Sequence, residues 1–315
     1  MPTVRDSSWS GDRDTAFAVP LIATEQVALT RAGDDLLLQT TQTITDDDPH
    51  LRAHFPAFAI FPGVFIVESL RQAVSAAVPG AGAFSLTGVR SIRFLSALVP
   101  GDQMTLTARI TITDGGVAAD AQAMARDGAV AARVKVDFGR VSEDRPPSHA
   151  SVRALLPHAH PMRLVDRIVA LERGASITAI KAVTATEPCY RHLSADAAAD
   201  GYAYPATLML ESFGQAAAVL ALQSAGVRAC GADDVIILAG IRDCQIDGNA
   251  YPGDVMRHVA RLGYAAGDTM IVDGETWIDD RRIAVIGSMI AAVRPAASLH
   301  STTPSACRIN EQVSG

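Results

Sequence analysis

The stretch Glu68-Ser69-Leu70-Arg71-Gln72 returns later as Glu211-Ser212-Phe213-Gly214-Gln215, and Pro100-Gly101-Asp102 returns in the same order as Pro252-Gly253-Asp254. Similarity at so long a period marks two copies of one domain rather than a solenoid. With 315 residues the chain has room for two cores of ordinary size. Each copy centres on an apolar run of helical length, residues 63–78 and 205–223. Runs with strand character follow: 85–94, 104–113, 118–125 and 130–138 in the first copy, and 235–245, 255–264, 270–278 and 282–293 in the second. Ahead of the first helix, residues 16–45 read as strand, turn, strand; ahead of the second, 156–168 and 176–183 read as strands. A helix that is apolar nearly all round must be covered, so an antiparallel sheet wrapped about it is expected, an α+β plan made twice. The expected boundaries are domains at 16–140 and 151–295, a polar linker at 141–150, a loose arm at 1–15 and a disordered Ser/Thr/Pro-rich tail at 296–315.

Composition narrows the function. A net charge of −7 argues against a nucleic-acid partner, which needs a concentrated basic surface. The opening residues lack a signal-peptide core, and no run reaches about 18 uninterrupted apolar residues, so a cytoplasmic protein without a membrane partner is expected. Cys189, Cys230, Cys244 and Cys307 show no Cys-x-x-Cys spacing and read as ordinary thiols. His158 and His160 alternate, but no acidic or thiol cluster joins them, so no metal is expected.

The chemistry sits near the helices. His54 lies on an expected loop, followed by Phe55-Pro56; Pro62-Gly63-Val64 opens the helix, and Glu68 stands inside the apolar run. A carboxylate in such surroundings is costly to ionise without partners, which suits a group that must hold a proton. In the second copy Glu211 keeps its six-residue distance from Pro205, but His192 stands thirteen residues before Pro205, where His54 stands eight before Pro62.

His-Phe-Pro, then Pro-Gly-Val, then Glu at this spacing resembles the β-hydroxyacyl thioester dehydratases of fatty-acid and polyketide synthesis. The resemblance implies a hotdog fold, here a double hotdog, with one chain supplying both halves of a pseudo-dimer. It implies elimination of water from a β-hydroxyacyl thioester, carried on acyl carrier protein or coenzyme A, without a cofactor. His54 would take the α-proton, Glu211 would protonate the leaving hydroxyl, and Gln215 would support the acid. The amides of Gly63 and Val64 would polarise the thioester carbonyl. His192 with Glu68 would form a second or vestigial site, because Leu193-Ser194 and Ala206 replace the residues the family has there. Ala57 also departs, standing where the family usually has Gly. Phe55, Phe58, Phe61, Val64, Leu208 and Phe213 are candidates for an acyl tunnel, Tyr202 and Tyr204 for its cover. Arg52, Arg71, Arg90 and Arg93 are candidates for carrier docking. A hotdog thioesterase, an enoyl hydratase and a non-catalytic acyl-binding subunit remain open alternatives, as do the chain length, the stereochemistry and homo- or hetero-oligomerisation.

Overall fold

The computed structural model describes residues 18–23, 26–32, 35–55, 57–141, 148–224 and 234–295. The expected arm and tail, most of the linker, Cys230 and Cys307 lie outside them. The chain divides into two compact units, Met1–Asp144 and Arg145–Gly315.

In the first unit the elements run β1 (Gln26–Ala32), β2 (Asp35–Thr43), α1 (Pro49–His54), α2 (Gly63–Ala77), β3 (Ser85–Phe94), β4 (Gln103–Thr113), β5 (Gly116–Met124) and β6 (Val130–Gly139). The six strands form one antiparallel sheet ordered β1-β2-β4-β5-β6-β3. Period-two patterning buries Met104, Leu106, Ala108 and Ile110 of β4 on one face. The α2 helix lays Ile66, Val67, Leu70, Ala73 and Val74 into the same core. Fully burying Leu70 or Val74 contributes roughly 1.5–3 kcal/mol each. The alanine-rich run of β5 has little strand propensity, yet it alternates correctly, with Val117, Ala119, Ala121 and Ala123 buried.

The second unit runs α3 (Ser148–Leu155), β7 (Arg167–Glu172), β8 (Ser176–Ala182), α4 (Ala206–Leu222), β9 (Asp234–Ile246), β10 (Val255–Ala266), β11 (Thr269–Ile278) and β12 (Arg281–Pro295). Its sheet order, β7-β8-β10-β11-β12-β9, repeats that of the first unit. Residues 199–222 are long and apolar enough to cross a membrane by length and composition. The apolarity has a nearer cause: α4 is the core helix, with Met209, Phe213, Val219 and Leu220 buried.

Two expectations need correction here. Residues 148–150, assigned to the linker, begin α3. Residues 156–166, expected as part of a strand, form neither strand nor regular helix, and β7 starts only at Arg167. Pro157 and Pro161 interrupt ladder pairing, and part of this backbone bonds to a side chain of α4 instead.

The repeated Pro-Gly-Asp is one turn built twice. Gly101 and Gly253 adopt φ of 93° and 106°. The Asp102 carboxylate accepts the Val99 amide at 2.8 Å, and Asp254 accepts that of Tyr251 at 2.8 Å. Gly101 donates to Ile44 O and Gly253 to Val183 O, so each turn clasps the chain just before the segment leading to the core helix. A Cβ at Gly253 meets no atom within 4 Å, so Gly253→Ala tests backbone strain alone. It is expected to cost ~1–2 kcal/mol, read as a lower unfolding midpoint; an unchanged midpoint would show the positive φ to be unstrained.

Candidate active site

His54 is the last residue of α1, not a loop residue as expected. Asp48 caps this helix, accepting the amides of His50 at 2.7 Å and Leu51 at 3.3 Å, Pro49 occupies its first turn, and Leu51 is buried. An Asp-Pro pair can start a helix as well as break a strand, and here it starts one. Nδ1 of His54 lies 3.0 Å from Ile60 O. A carbonyl can only accept, so Nδ1 carries the proton and Nε2 presents a lone pair, the arrangement of a general base.

His54 borders a cleft of about 350 Å³ with Ile60, Gly63, Ile66, Phe94 and Leu98. The Phe94 ring lies against the start of α2, where a Cβ on Gly63 would come within 2.7 Å of it. At that start the Phe65 amide already bonds to Pro62 O at 2.8 Å. Gly63 and Val64 are then the amides that the helical pattern leaves over, next to His54.

Glu68 is held on every side. Arg71 forks onto it, Nε to Oε2 at 2.9 Å and Nη2 to Oε1 at 2.7 Å, and Gln72 Nε2 donates to Oε1 at 2.8 Å. The bond to Glu68 is the largest influence on Arg71 and raises its pKa. A permanently charged guanidinium occupies both oxygens in a bidentate fork. Arg71, a docking candidate on sequence, is thus an internal partner. Arg52 donates to Asp47 O at 2.8 Å, and Arg90 reaches Ala119 O and Val136 O at 3.1 Å and pairs with Asp137 at 3.2 Å.

In the second unit Gln215 is buried in mid-helix. Its Oε1 accepts the Leu164 amide at 2.9 Å, and its Nε2 donates to Met162 O at 2.7 Å and to Glu211 Oε1 at 2.9 Å. Gln72 does the same in the first unit, accepting from Ala23 N at 3.0 Å and donating to Leu21 O at 2.8 Å. Gln72 is visible within the repeated pentapeptide, but the sequence alone points to no role for it. Where Arg71 follows Glu68, Gly214 follows Glu211, so the second carboxylate lacks the guanidinium that caps the first. Glu211 instead heads a narrow pocket of about 70 Å³, where His158 Nε2 lies 3.6 Å from its Oε1. On sequence His158 reads only as part of a strand entry, and nothing there signals this contact.

His192 differs from His54. Its Nε2 faces Arg191 Nε at 2.9 Å and so accepts from a guanidinium; the lone pair a base would use is occupied. Among the tunnel candidates, Phe55, Phe58 and Val64 are exposed, while Phe213 is fully buried core. Tyr204 is likewise buried in the core. Burial of Tyr190 and Tyr204 pushes both phenols up, Tyr190 to about 12, so neither supplies a proton near neutrality.

A long helix against a six-stranded antiparallel sheet, twice over, with a helix-borne carboxylate in each copy, defines a protein of two hotdog units. Residues 156–286 match the FabA-like domain, and residues 30–128 match the ApeI dehydratase. Curated relatives named 3-hydroxyacyl-(acyl-carrier-protein) dehydratase FabZ are 31% identical over 156 residues in Actinobacillus pleuropneumoniae, covering 48% of this chain and 96% of the relative. The FabZ of Nitrosospira multiformis is 34% identical over 149 residues, covering 44% and 92%. The chain belongs to this 3-hydroxyacyl-(acyl-carrier-protein) dehydratase family. Among solved structures it is similar to the dehydratase heterocomplex ApeI:P from Xenorhabdus doucetiae, with 17% identity and a TM-score of 0.39 over 47% of this chain and 93% of that one. It is also similar to the dehydratase domain from the CurJ module of curacin polyketide synthase, with 12% identity and a TM-score of 0.35 over 89% and 98%.

Proposed function

We propose that the chain removes water from β-hydroxyacyl thioesters carried on an acyl carrier protein, giving α,β-unsaturated thioesters, with His54 as the base and Glu211 as the acid. His54 Nε2 takes the α-proton, and the amides of Gly63 and Val64 stabilise the enolate-like oxygen that follows. Glu211 protonates the β-hydroxyl as it departs, with Gln215 holding the carboxyl in place. The Cα–H and Cβ–O bonds break, a carbon–carbon double bond forms, and water leaves. The observation that carries this reading is the difference between the copies. His54 bonds through Nδ1 to Ile60 O and Glu211 accepts from Gln215, neither of them a guanidinium, whereas Arg191 occupies His192 and Arg71 occupies Glu68.

The test is intact-mass measurement of carrier protein bearing β-hydroxyacyl chains of graded length, incubated with the protein. A loss of one water per carrier is expected for at least one length. Release of free thiol in place of water would move the assignment to a thioesterase, and no mass change at any length would retire an enzymatic reading.

A further inference from the structure

We propose that Gly214 is a specificity-determining residue: its missing side chain leaves room beside Glu211 for the alkyl end of a short acyl chain, which Met289 and Met270 then stop. This deepens the dehydratase reading above and rests on it. If Glu211 protonates the β-hydroxyl, the β-carbon lies at Glu211, and the alkyl carbons beyond it gain by leaving water. The second unit offers them a pocket that begins at Glu211 itself.

The pocket lies between α4 and the strands β9, β11 and β12, and its walls include Ala218, Ile236, Met270 and Met289. Its wet end is at Glu211 and His158, whose side chains are 34% and 30% exposed. The Gln215 amide, also in the wall, is committed to Leu164 N, Met162 O and Glu211, so past the carboxylate an alkyl chain meets apolar surface. Met289 is buried beside Gly214, and fully buried Met270 packs with Ala221, further along the helix. A volume of about 70 Å³ holds about two to three carbons at roughly 30 Å³ each. Counted beyond the β-carbon, that is a β-hydroxyhexanoyl chain or a shorter one.

Gly214 gives an independent sign. Glycine inside a helix is less stable than alanine, and packing does not demand it here. A Cβ at this position would meet only the Met289 side chain, Sδ at 3.4 Å and Cε at 4.0 Å, which are ordinary contact distances. What an alanine would take is pocket volume. The matching residue of the first copy is Arg71, whose long side chain is committed to Glu68. The copies therefore differ in the space beside the carboxylate, and the second leaves that space open.

The deciding experiment measures initial rates of enoyl thioester formation by wild-type protein, Gly214→Ala and Met289→Ala. The substrates are carrier proteins bearing β-hydroxybutyryl, β-hydroxyhexanoyl, β-hydroxyoctanoyl and β-hydroxydecanoyl chains. One surplus methylene in an apolar pocket is worth about 10-fold, so the wild-type rate should fall at least ~10-fold from hexanoyl to decanoyl. The hexanoyl-to-butyryl ratio should drop ~10-fold in Gly214→Ala, and the octanoyl-to-butyryl ratio should rise ~10-fold in Met289→Ala. Thermal melts separate these shifts from unfolding, and Gly214→Ala should melt no lower than wild type, because alanine suits a helix better. If Met289→Ala fails to fold, Gly214→Ala decides alone. A wild-type preference for decanoyl, or a Gly214→Ala protein slowed equally or not at all on every chain, would overturn the inference while water loss still upheld the dehydratase reading. Wild-type protein that releases no water at any length would instead overturn that reading, and this inference with it.

Discussion

His54→Ala and Glu211→Gln are each expected to slow water loss by ~10³-fold, while His192→Ala and Glu68→Gln leave it within about twofold. The asymmetry follows from hydrogen bonding. Ile60 O fixes the His54 tautomer that leaves Nε2 free, and an alanine removes the base without disturbing the Asp48 cap or buried Leu51 that shape α1. Glutamine at 211 keeps the side chain's size and can still accept from Gln215, but has no acidic proton to give. Replacing Glu68 strips Arg71 of its ion pair and costs stability, so rates must be compared well below each variant's unfolding midpoint. Initial rates of enoyl thioester formation decide the matter. If His192→Ala or Glu68→Gln were as damaging as its counterpart, the assignment of His54 and Glu211 as base and acid would be wrong. If all four variants kept wild-type rates, the chemistry would lie elsewhere in the chain.

The repeat was legible because it is written in the residues that make the core. The helix carboxylates and the Pro-Gly-Asp turns have positional duties that few other residues can fill, and both survive in the two copies. Strand positions were legible for the same reason, since alternation follows from one face being buried. What escaped the sequence was local and short. Six residues of α1 offer too little periodicity to register, and their cap, Asp48, looks like any strand breaker until Leu51 is seen to be buried. The segment 156–166 alternates enough to suggest a strand, yet Leu164 N and Met162 O bond to a glutamine from α4. No sequence pattern announces that a side chain will replace a ladder. The two arginines that distinguish the copies were visible as residues but not as partners, because spacing along a helix or loop does not say which way a guanidinium turns.

Acid should weaken the second unit through one buried imidazole. His258 of β10 is fully buried, with Nε2 3.0 Å from Ser212 Oγ of α4 and Nδ1 2.9 Å from Thr276 Oγ1 of β11. Hydroxyls can donate or accept, so the neutral ring is satisfied at both nitrogens, tying the core helix to two strands. Burial lowers its pKa from 6.5 to about 3. The unfolded chain therefore binds this proton more readily than the folded one, so stability is fully present above pH 6.5, declines as pH falls, and levels off near 3. Within that window the group contributes a slope of about 1.4 kcal/mol per pH unit. Trp277 adjoins Thr276, and Trp9 is the other tryptophan of the chain, so urea unfolding followed by tryptophan fluorescence carries a signal from beside this network. Wild-type and His258→Leu proteins should be compared between pH 4.5 and 6.5, above most of the carboxylate range. The leucine variant is expected to be less stable near neutrality, because Ser212 and Thr276 lose a partner, and distinctly flatter with pH. Equal slopes in the two proteins would mean that His258 already titrates in the folded state, and that water reaches this core.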